Sequence, residues 1–283
     1  MHILVVDDFV LVELALAQVI QDTSHTLTGV RDPRSLPEVL SQGTRFDLAL
    51  VDINFGPGVP TGLTAMRILR AESPETRIVI ESTDEERNRL LFLLASFSFF
   101  EPLALMSKAA PAQAMRALID AVGRGELTGP GFAGPDGAGV RGDTRTAESP
   151  VERLIRNAGV LDELIRNRTD LMLWRALVRF DKRGEVARAA HVDERTVDRF
   201  TSGKSQVIDK IEAEFPEGGP APELPAENSR RDDDPDGYRH HPNLVRLARF
   251  AQTHSHFFGD EALDELFAER WRSPRPRPRR SEA

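Results

Sequence analysis

Residues 2–8 read His-Ile-Leu-Val-Val-Asp-Asp, a short apolar run that ends in two adjacent carboxylates. The same arrangement recurs three times downstream, where a polar residue stands at or just past the end of an apolar run: Asp52, Ser82 and Lys108. In an open parallel α/β sheet, ligands bind at the edge formed by the carboxyl ends of the strands. The sequence therefore predicts that three carboxylates, one hydroxyl and one amine meet in one crevice.

Strand-like apolar runs alternate with helical patterns through residue 125, which predicts a parallel sheet with helices on both faces. We expect strands near 2–6, 26–30, 47–51, 77–81 and 103–106, and helices near 9–22, 34–42, 62–72, 84–98 and 111–124. The predicted fold class is α/β, a doubly wound five-stranded parallel sheet, followed by an all-α region.

Length and composition indicate an ordinary globular protein of about two domains, with 283 residues, 40% hydrophobic and 29% charged. No apolar run approaches the ~18 residues that span a bilayer, so we expect no membrane segment. The absence of cysteine excludes disulfides and thiolate metal sites, and fits a cytoplasmic location. Residues 1–126 hold 11 Lys and Arg against 17 Asp and Glu, whereas residues 150–213 hold 13 against 11. An acidic first half thus precedes a mildly basic second half.

Changes in composition divide the chain into six predicted segments. Residues 1–125 form the sheet domain, and the Gly- and Pro-rich residues 126–150 are predicted to be a flexible linker. Helical periodicity returns over 151–213. An acidic, Pro-rich stretch at 214–242 is predicted to be disordered. A helical segment at 243–272 and a basic, polyproline-like tail at 273–283 complete the chain.

The order and spacing of the strand-end residues resemble the receiver domain of two-component response regulators, which has a flavodoxin-like fold. In that family an acidic pair ends the first strand, a phosphoacceptor Asp ends the third, a Ser or Thr ends the fourth and a Lys ends the fifth. These positions correspond here to Asp7 and Asp8, Asp52, Ser82 and Lys108. The resemblance covers roughly residues 1–125 and implies that a sensor histidine kinase phosphorylates Asp52.

The resemblance also implies a magnesium site and a switch. Asp8, Asp52 and the backbone carbonyl of Asn54 would hold Mg²⁺, and Asp7 would assist from the second ligand shell. Magnesium suits such a site because it takes a few oxygen ligands and keeps several waters. Lys108 would pair with one phosphoryl oxygen, and Ser82 would donate a hydrogen bond to another.

Four positions depart from the family pattern. Gly62 lies about two residues farther from the acceptor than its usual equivalent. Leu105 replaces an aromatic residue that is often coupled to the switch. Ala109 follows the lysine where a proline is common, and Thr83 is bulkier than the usual Ala or Gly and is predicted to slow loss of the phosphate.

The fourth predicted helix is unusually apolar over residues 90–100. We expect part of its apolar surface to be exposed: Leu91, Phe92, Leu94, Phe97 and Phe99. Exposed apolar patches often mark interfaces. Homodimerisation, docking of the C-terminal helices and a thicker core are three open interpretations of this run.

Residues 184–204 are similar to a helix-turn-helix. His191 would take the turn position that favours a left-handed residue, and Asp193 would cap the second helix, expected at about Glu194–Ser202. Val197 and Phe200 would form the buried face of that helix. If the helix enters the major groove, its expected DNA contacts are Arg195, Thr196, Arg199 and Lys204.

These patterns together predict a response regulator that is phosphorylated on Asp52 and acts as a DNA-binding transcriptional regulator. The alternative is a receiver that controls a partner protein through residues 150–271 without binding DNA. The sequence shows no nucleophile motif, phosphate-binding glycine loop or metal-ligand spacing beyond the receiver, so we expect no separate enzymatic output.

Overall fold

The computed structural model describes residues 1–56, 58–83, 89–127, 131–134, 149–215 and 242–272. Contacts divide the chain into two compact units, Met1–Gly159 and Val160–Ala283. Most of the predicted disordered stretch 214–242, part of the predicted linker and the whole basic tail lie outside the described residues. The predictions made for those parts of the chain therefore stay predictions.

The first unit is built from alternating strands and helices. The strands are β1 (His2–Val6), β2 (Thr26–Val30), β3 (Leu48–Asp52), β4 (Arg77–Ser82), β5 (Ala104–Ser107) and β6 (Gly131–Ala133). The helices are α1 (Val10–Ile20), α2 (Leu36–Ser41), α3 (Gly62–Glu72), α4 (Arg89–Phe99), α5 (Ala112–Arg124) and α6 (Pro150–Asn157). The first five strands and helices match the predicted order.

All described strand pairs are parallel, in the order β2-β1-β3-β4-β5-β6. β3 is buried along its whole length, as expected for a strand covered on both faces. The doubly wound parallel fold is thus confirmed, with six strands rather than the predicted five.

The additional strand lies in the predicted linker, which is therefore wrong as a description of residues 131–133. Gly131 starts β6 and its backbone N–H donates to the Leu103 carbonyl. A Cβ at this position would lie 2.9 Å from the side chain of Leu118 on α5, so a glycine suits this close approach.

Helix α6 packs on α4 and β6, within the first unit. Its start is fixed by a capping box: Ser149 accepts from the backbone N–H of Glu152, whose side chain accepts from the backbone N–H of Ser149. Val151 and Leu154 are buried. The predicted boundary at residue 151 is therefore corrected, because α6 belongs with the sheet and not with the helix-turn-helix.

Covering by α6 also overturns the expectation of an exposed α4. Leu91, Phe92 and Leu94 are fully buried, Phe97 is nearly so, and Phe99 is half-buried. The apolar run thus contributes to a thicker core. The exposed apolar side chains of the first unit lie elsewhere, mainly on and just before α1 at Phe9, Leu11 and Leu14.

The second unit is entirely helical in its described parts. Its helices are α7 (Val160–Leu164), α8 (Arg168–Leu177), α9 (Arg183–Ala189), α10 (Glu194–Glu214), α11 (Pro242–Thr253), α12 (Ser255–Gly259) and α13 (Ala262–Arg272). Trp174 on α8 joins the helices from both sides of the acidic stretch: it packs edge-on against Phe200 and stacks on Phe258 at 4.9 Å. Residues 160–215 and 242–272 therefore share one core and are not the separate segments that the sequence predicted.

Candidate functional site

Three carboxylates meet at the carboxyl edge of the sheet. Asp7 and Asp8 follow β1, Asp52 ends β3, and these two strands are hydrogen-bonded neighbours. One oxygen from each carboxylate lies within 4.8 Å of the others. Asp7 and Asp52 are buried, whereas Asp8 is exposed. The structure thus brings together the acidic residues that the sequence singled out.

Lys108 follows β5 and its ammonium group lies between two of these carboxylates. Its Nζ is 2.7 Å from Asp7 Oδ2 and 2.8 Å from Asp52 Oδ2. The side chain of Lys108 is 17% exposed, so it is only partly shielded from solvent. Lys108 therefore balances part of the negative charge that is concentrated here.

Backbone N–H groups fix the orientation of the acidic pair. The N–H of Phe9 donates to Asp7 Oδ1 at 2.7 Å, and the N–H of Gly56 donates to Asp8 Oδ2 at 2.7 Å. The loop after β3, which also contains Asn54, is thereby tied to the end of β1. At the other end of this loop, the backbone of Gly62 lies close to that of Asp52. A Cβ on Gly62 would lie 2.1 Å from the Asp52 carbonyl oxygen, so only glycine fits at the start of α3.

Ser82 ends β4 and is fully buried. Its hydroxyl donates to the carbonyl of Thr83 at 3.2 Å, and its own carbonyl accepts from the backbone N–H of Lys108 at 2.9 Å. Arg89 at the start of α4 also donates to the Thr83 carbonyl. The segment at Ser82 and Thr83 therefore links the lysine strand to α4.

Burial sets the protonation of the central carboxylate. Burial raises the pKa of Asp52 to about 7. The positive charge of Lys108 opposes this rise, and the negative charge of Asp7 adds to it. For Lys108, burial alone would lower the pKa, but Asp52 and Asp7 raise it above its ordinary value. The amine is therefore a permanent cation, whereas Asp52 exchanges its proton near neutral pH.

A fourth carboxylate, which the sequence analysis missed, lies beside this group. Glu81 on β4 pairs in register with Asp52, is 1% exposed, and its Oε2 has no hydrogen-bond partner in the structure. Burial raises its pKa to about 8, against the opposing effect of Lys108. The available signal was a single charged residue inside the apolar run that ends at Ser82.

The donor set suits a hard divalent cation. Three carboxylates converge within ligand range, the one on Asp8 faces solvent, and the backbone restrains two of them. Oxygen ligands of this kind are typical of magnesium sites, where the ion neutralises oxygen charge and keeps several waters. Asp8 and Asp52 would hold such an ion, with the nearby Asn54 carbonyl as the third predicted ligand.

The helix-turn-helix geometry is present in the second unit. Helix α9 ends before His191, whose φ of 54° is left-handed, as the turn requires. Asp193 caps α10 and accepts from the N–H of Thr196 at 2.7 Å. Val197 and Phe200 are buried. The predicted turn, cap and core face are confirmed, but α10 extends to Glu214, far beyond the predicted end at Ser202.

The predicted DNA contacts fall into two groups. Arg195 and Arg199 are exposed and Thr196 is half-buried, so all three reach the surface of α10. Lys204 is 2% exposed and its Nζ lies 2.5 Å from Asp170 Oδ2. The prediction that Lys204 contacts DNA is therefore corrected, because its charge is used inside the helical unit.

Carboxylates on α10 are paired with a neighbouring arginine. Arg183 at the start of α9 lies 2.6 Å from Glu194 and 3.3 Å from Asp198. These exposed pairs add little stability. They do offset the negative charge that would otherwise repel a nucleic-acid backbone from this face.

No protein-family model and no curated protein matches the sequence. Solved structures do match. RcsB from Salmonella enterica serovar Typhimurium, bound to the promoter rprA with the phosphomimetic BeF3⁻, is 13% identical with a TM-score of 0.48, over 88% of this chain and 98% of that chain. A structure of two RcsB dimers bound to two parallel DNAs is 14% identical with a TM-score of 0.48, over 73% and 89%.

A receiver domain of an HD domain-containing protein from Pseudomonas fluorescens Pf-5 is 18% identical, with a TM-score of 0.39 over 44% of this chain and 95% of that chain. These solved structures are response regulators and receiver domains. Among the described residues, no helix is both long and apolar enough to cross a membrane.

Proposed function

We propose that the protein is a two-component response regulator, in which phosphorylation of Asp52 controls DNA binding by the helical unit. The observation that carries this proposal is Lys108, whose Nζ contacts the buried Asp52 and also Asp7. A buried nucleophile beside a fixed cation and two further carboxylates meets the needs of phosphoryl transfer, in which positioning and charge neutralisation dominate.

In the proposed reaction a carboxylate oxygen of Asp52 attacks phosphorus, and the bond from phosphorus to the donor breaks. With a phosphohistidine donor, the imidazole nitrogen leaves and takes up a proton. Lys108 neutralises charge on the phosphoryl oxygens, and a bound Mg²⁺ would supply additional neutralisation of that charge. Because Lys108 already contacts Asp52, its amine needs only a small movement to reach the new group.

The switch follows from the same contacts. The Ser82 hydroxyl donates to Thr83 and is free to redirect its hydrogen to a phosphoryl oxygen. That change removes one bond from the Thr83 carbonyl, which Arg89 of α4 also uses. Phosphorylation of Asp52 would thereby change a contact of helix α4, as in other phosphorylation switches.

A sensor histidine kinase is the proposed donor. Phe9 immediately follows the acidic pair, and Leu11 and Leu14 continue an exposed apolar surface on α1. Exposed apolar patches of this kind mark contact sites for other proteins. A kinase docked there would bring its phosphohistidine next to Asp52, and phosphotransfer from a panel of purified histidine kinases measures this directly.

Labelling by a small phosphodonor tests the site. We expect the wild-type protein to gain one phosphoryl group from acetyl phosphate and Mg²⁺, seen as a mass increase of the intact protein, and Asp52→Asn to gain none. Asp47→Asn is the matched control, because Asp47 is an exposed carboxylate that accepts from the backbone of His2 outside the site. Persistent labelling of Asp52→Asn would reject the assignment.

Recovery and sequencing of genomic DNA bound by the full-length protein tests the output. We expect a shared sequence motif whose enrichment depends on beryllofluoride and Mg²⁺, because the phosphoryl mimic would act through Lys108 and Ser82. No enrichment in either state would favour the alternative, a receiver that regulates a partner protein. Capture of protein partners in both states would then be the next measurement.

A further inference from the structure

A cleft of about 320 Å³ lies beside the helix-turn-helix, between the start of α8 and the middle of α10. Arg166, Asn167 and Thr169 line one wall, and Thr196, Arg199 and Gly203 line the other. Two of these, Thr196 and Arg199, are also predicted DNA contacts. The cleft is therefore continuous with the surface of α10 that would face DNA.

The charged side chains at the base of the cleft are paired with each other. Lys204 donates to Asp170 at 2.5 Å and to the Glu163 carbonyl at 2.6 Å. The same Asp170 oxygen accepts from the backbone N–H of Arg166 at 3.0 Å. Lys204 and Asp170 thus neutralise each other. The net charge of the cleft therefore comes from the residues of its walls.

The walls carry exposed arginines, of which Arg199 acts electrostatically on the exposed Asp193. Arg166 and Arg199 line the cleft, and Arg168 follows the lining residue Asn167 in sequence. All three are exposed, and none of them forms an ion pair with a described carboxylate. Helix α8 begins at this point, capped by Asn167, and the amino end of a helix adds partial positive charge. The cleft therefore favours an anion at its mouth.

We propose that this arginine-lined cleft seats a backbone phosphate of DNA that flanks the groove occupied by α10. The inference rests on the proposed DNA-binding function. A recognition helix in the major groove places its neighbouring elements against the sugar-phosphate backbone, where such contacts fix orientation without reading sequence. Arg166, just before α8, would hold the phosphate from one wall, and Arg199 would meet it from α10. Arg168, the first residue of α8, would add positive charge beside them.

The experiment is a salt titration of DNA binding by the full-length protein. It compares wild type with Arg166→Ala/Arg168→Ala, on the enriched motif and on unrelated DNA of equal length. We expect the slope of log K against log[salt] to decrease by about one for each lost phosphate contact. Both DNAs should weaken by a similar factor, so that the preference for the motif is retained.

Two further variants make the result specific. Arg195→Ala changes an exposed α10 arginine outside the cleft, and should reduce the preference for the motif if Arg195 reads a base. Arg34→Ala removes an exposed arginine from the first unit and should change neither slope nor preference. Unchanged tryptophan fluorescence would verify that the helical unit remains folded in each variant.

The outcomes separate this inference from the proposed function. If wild type binds neither DNA in any state, the proposed DNA-binding function fails. If wild type binds and the double variant keeps its salt slope, the phosphate contact alone is overturned. Loss of motif preference in the double variant would also overturn it, because the cleft would then read sequence and not backbone.

Discussion

The buried carboxylate of Asp52 lowers the stability of the folded protein, in addition to its proposed role in phosphoryl transfer. Its pKa is raised from 3.8 to about 7 by burial, so the folded protein holds this proton more tightly than the unfolded chain does. Between about pH 4 and pH 7 the folded state therefore binds more protons. Its free energy of unfolding falls as pH rises through that window, and the full penalty is present above pH 7.

Replacing this carboxylate by a neutral amide should remove that penalty. In the absence of divalent cations we expect Asp52→Asn to exceed the wild type in free energy of unfolding by about 1–3 kcal/mol at pH 8, less than the shift alone implies because Lys108 loses a partner. At pH 5 the difference should fall to less than half, and it should vanish only below about pH 4, where the unfolded chain is protonated as well. Denaturant unfolding at both pH values measures this, and a difference independent of pH would contradict it.

The residues at the strand ends were predictable because one rule places them. Parallel strands bring their carboxyl ends to one edge, so Asp7, Asp52 and Lys108 had to be near one another once the strands were recognised. Glu81 obeys no such rule, since it lies within a strand and its burial depends on the layers packed over β4. Its place beside Asp52 became visible only through the register of β3 and β4.

Lys204 shows how a residue can be misread when its position on the helix is ignored. It lies four residues after Phe200 and seven after Val197, on the face of α10 that is buried. Residues at these spacings share a helix face. The helical period therefore assigned Lys204 to the core, and its pairing with Asp170 explains how a charge is accommodated there.

Helix α6 explains the unusual composition of α4. An apolar helix surface must be buried against another element, and here that element comes from the same chain. The sequence could indicate that α4 needed a cover but not which segment supplied it. The three residues of β6 were too few, and too rich in glycine and alanine, to be distinguished from a linker.

Disrupting α6 should expose the apolar face of α4. We expect Leu154→Asp to increase self-association of the full-length protein, because a charge at this buried site opposes docking of α6. Ile155→Asp is the matched control, since Ile155 is the next residue and is 43% exposed, whereas Leu154 is 4% exposed. Light scattering over a range of protein concentrations measures the effect.

Equal behaviour of the two variants would contradict this role of α6. If both variants stay monomeric, α4 remains covered without the Leu154 contact, or its exposed face does not associate. If both associate, the effect comes from the added charge and not from the loss of packing. Only association confined to Leu154→Asp supports α6 as the cover of α4.

The second unit depends on residues that are far apart in sequence. Helices α11–α13 were predictable as helices from their periodicity, but periodicity cannot say which apolar face packs on which. In the structure Arg175 on α8 donates to the carbonyls of Phe258 and Asp260 and pairs with Asp264. Phe258 in turn stacks on Trp174. The proposed DNA-binding helix-turn-helix thus shares its core with the C-terminal helices.

Phe258→Ala should therefore destabilise the helix-turn-helix although residue 258 lies outside it. Phe258 is fully buried, so we expect a loss of about 3–5 kcal/mol in the free energy of unfolding of this unit. The two tryptophans of the chain, Trp174 and Trp271, both lie in the second unit, so tryptophan fluorescence during denaturant unfolding follows this unit.

Phe9→Ala, at a residue that is 59% exposed in the first unit, should leave the fluorescence transition unchanged. An unchanged transition in Phe258→Ala would mean that the helix-turn-helix folds without this contact, and that the C-terminal helices do not contribute to its stability through Trp174.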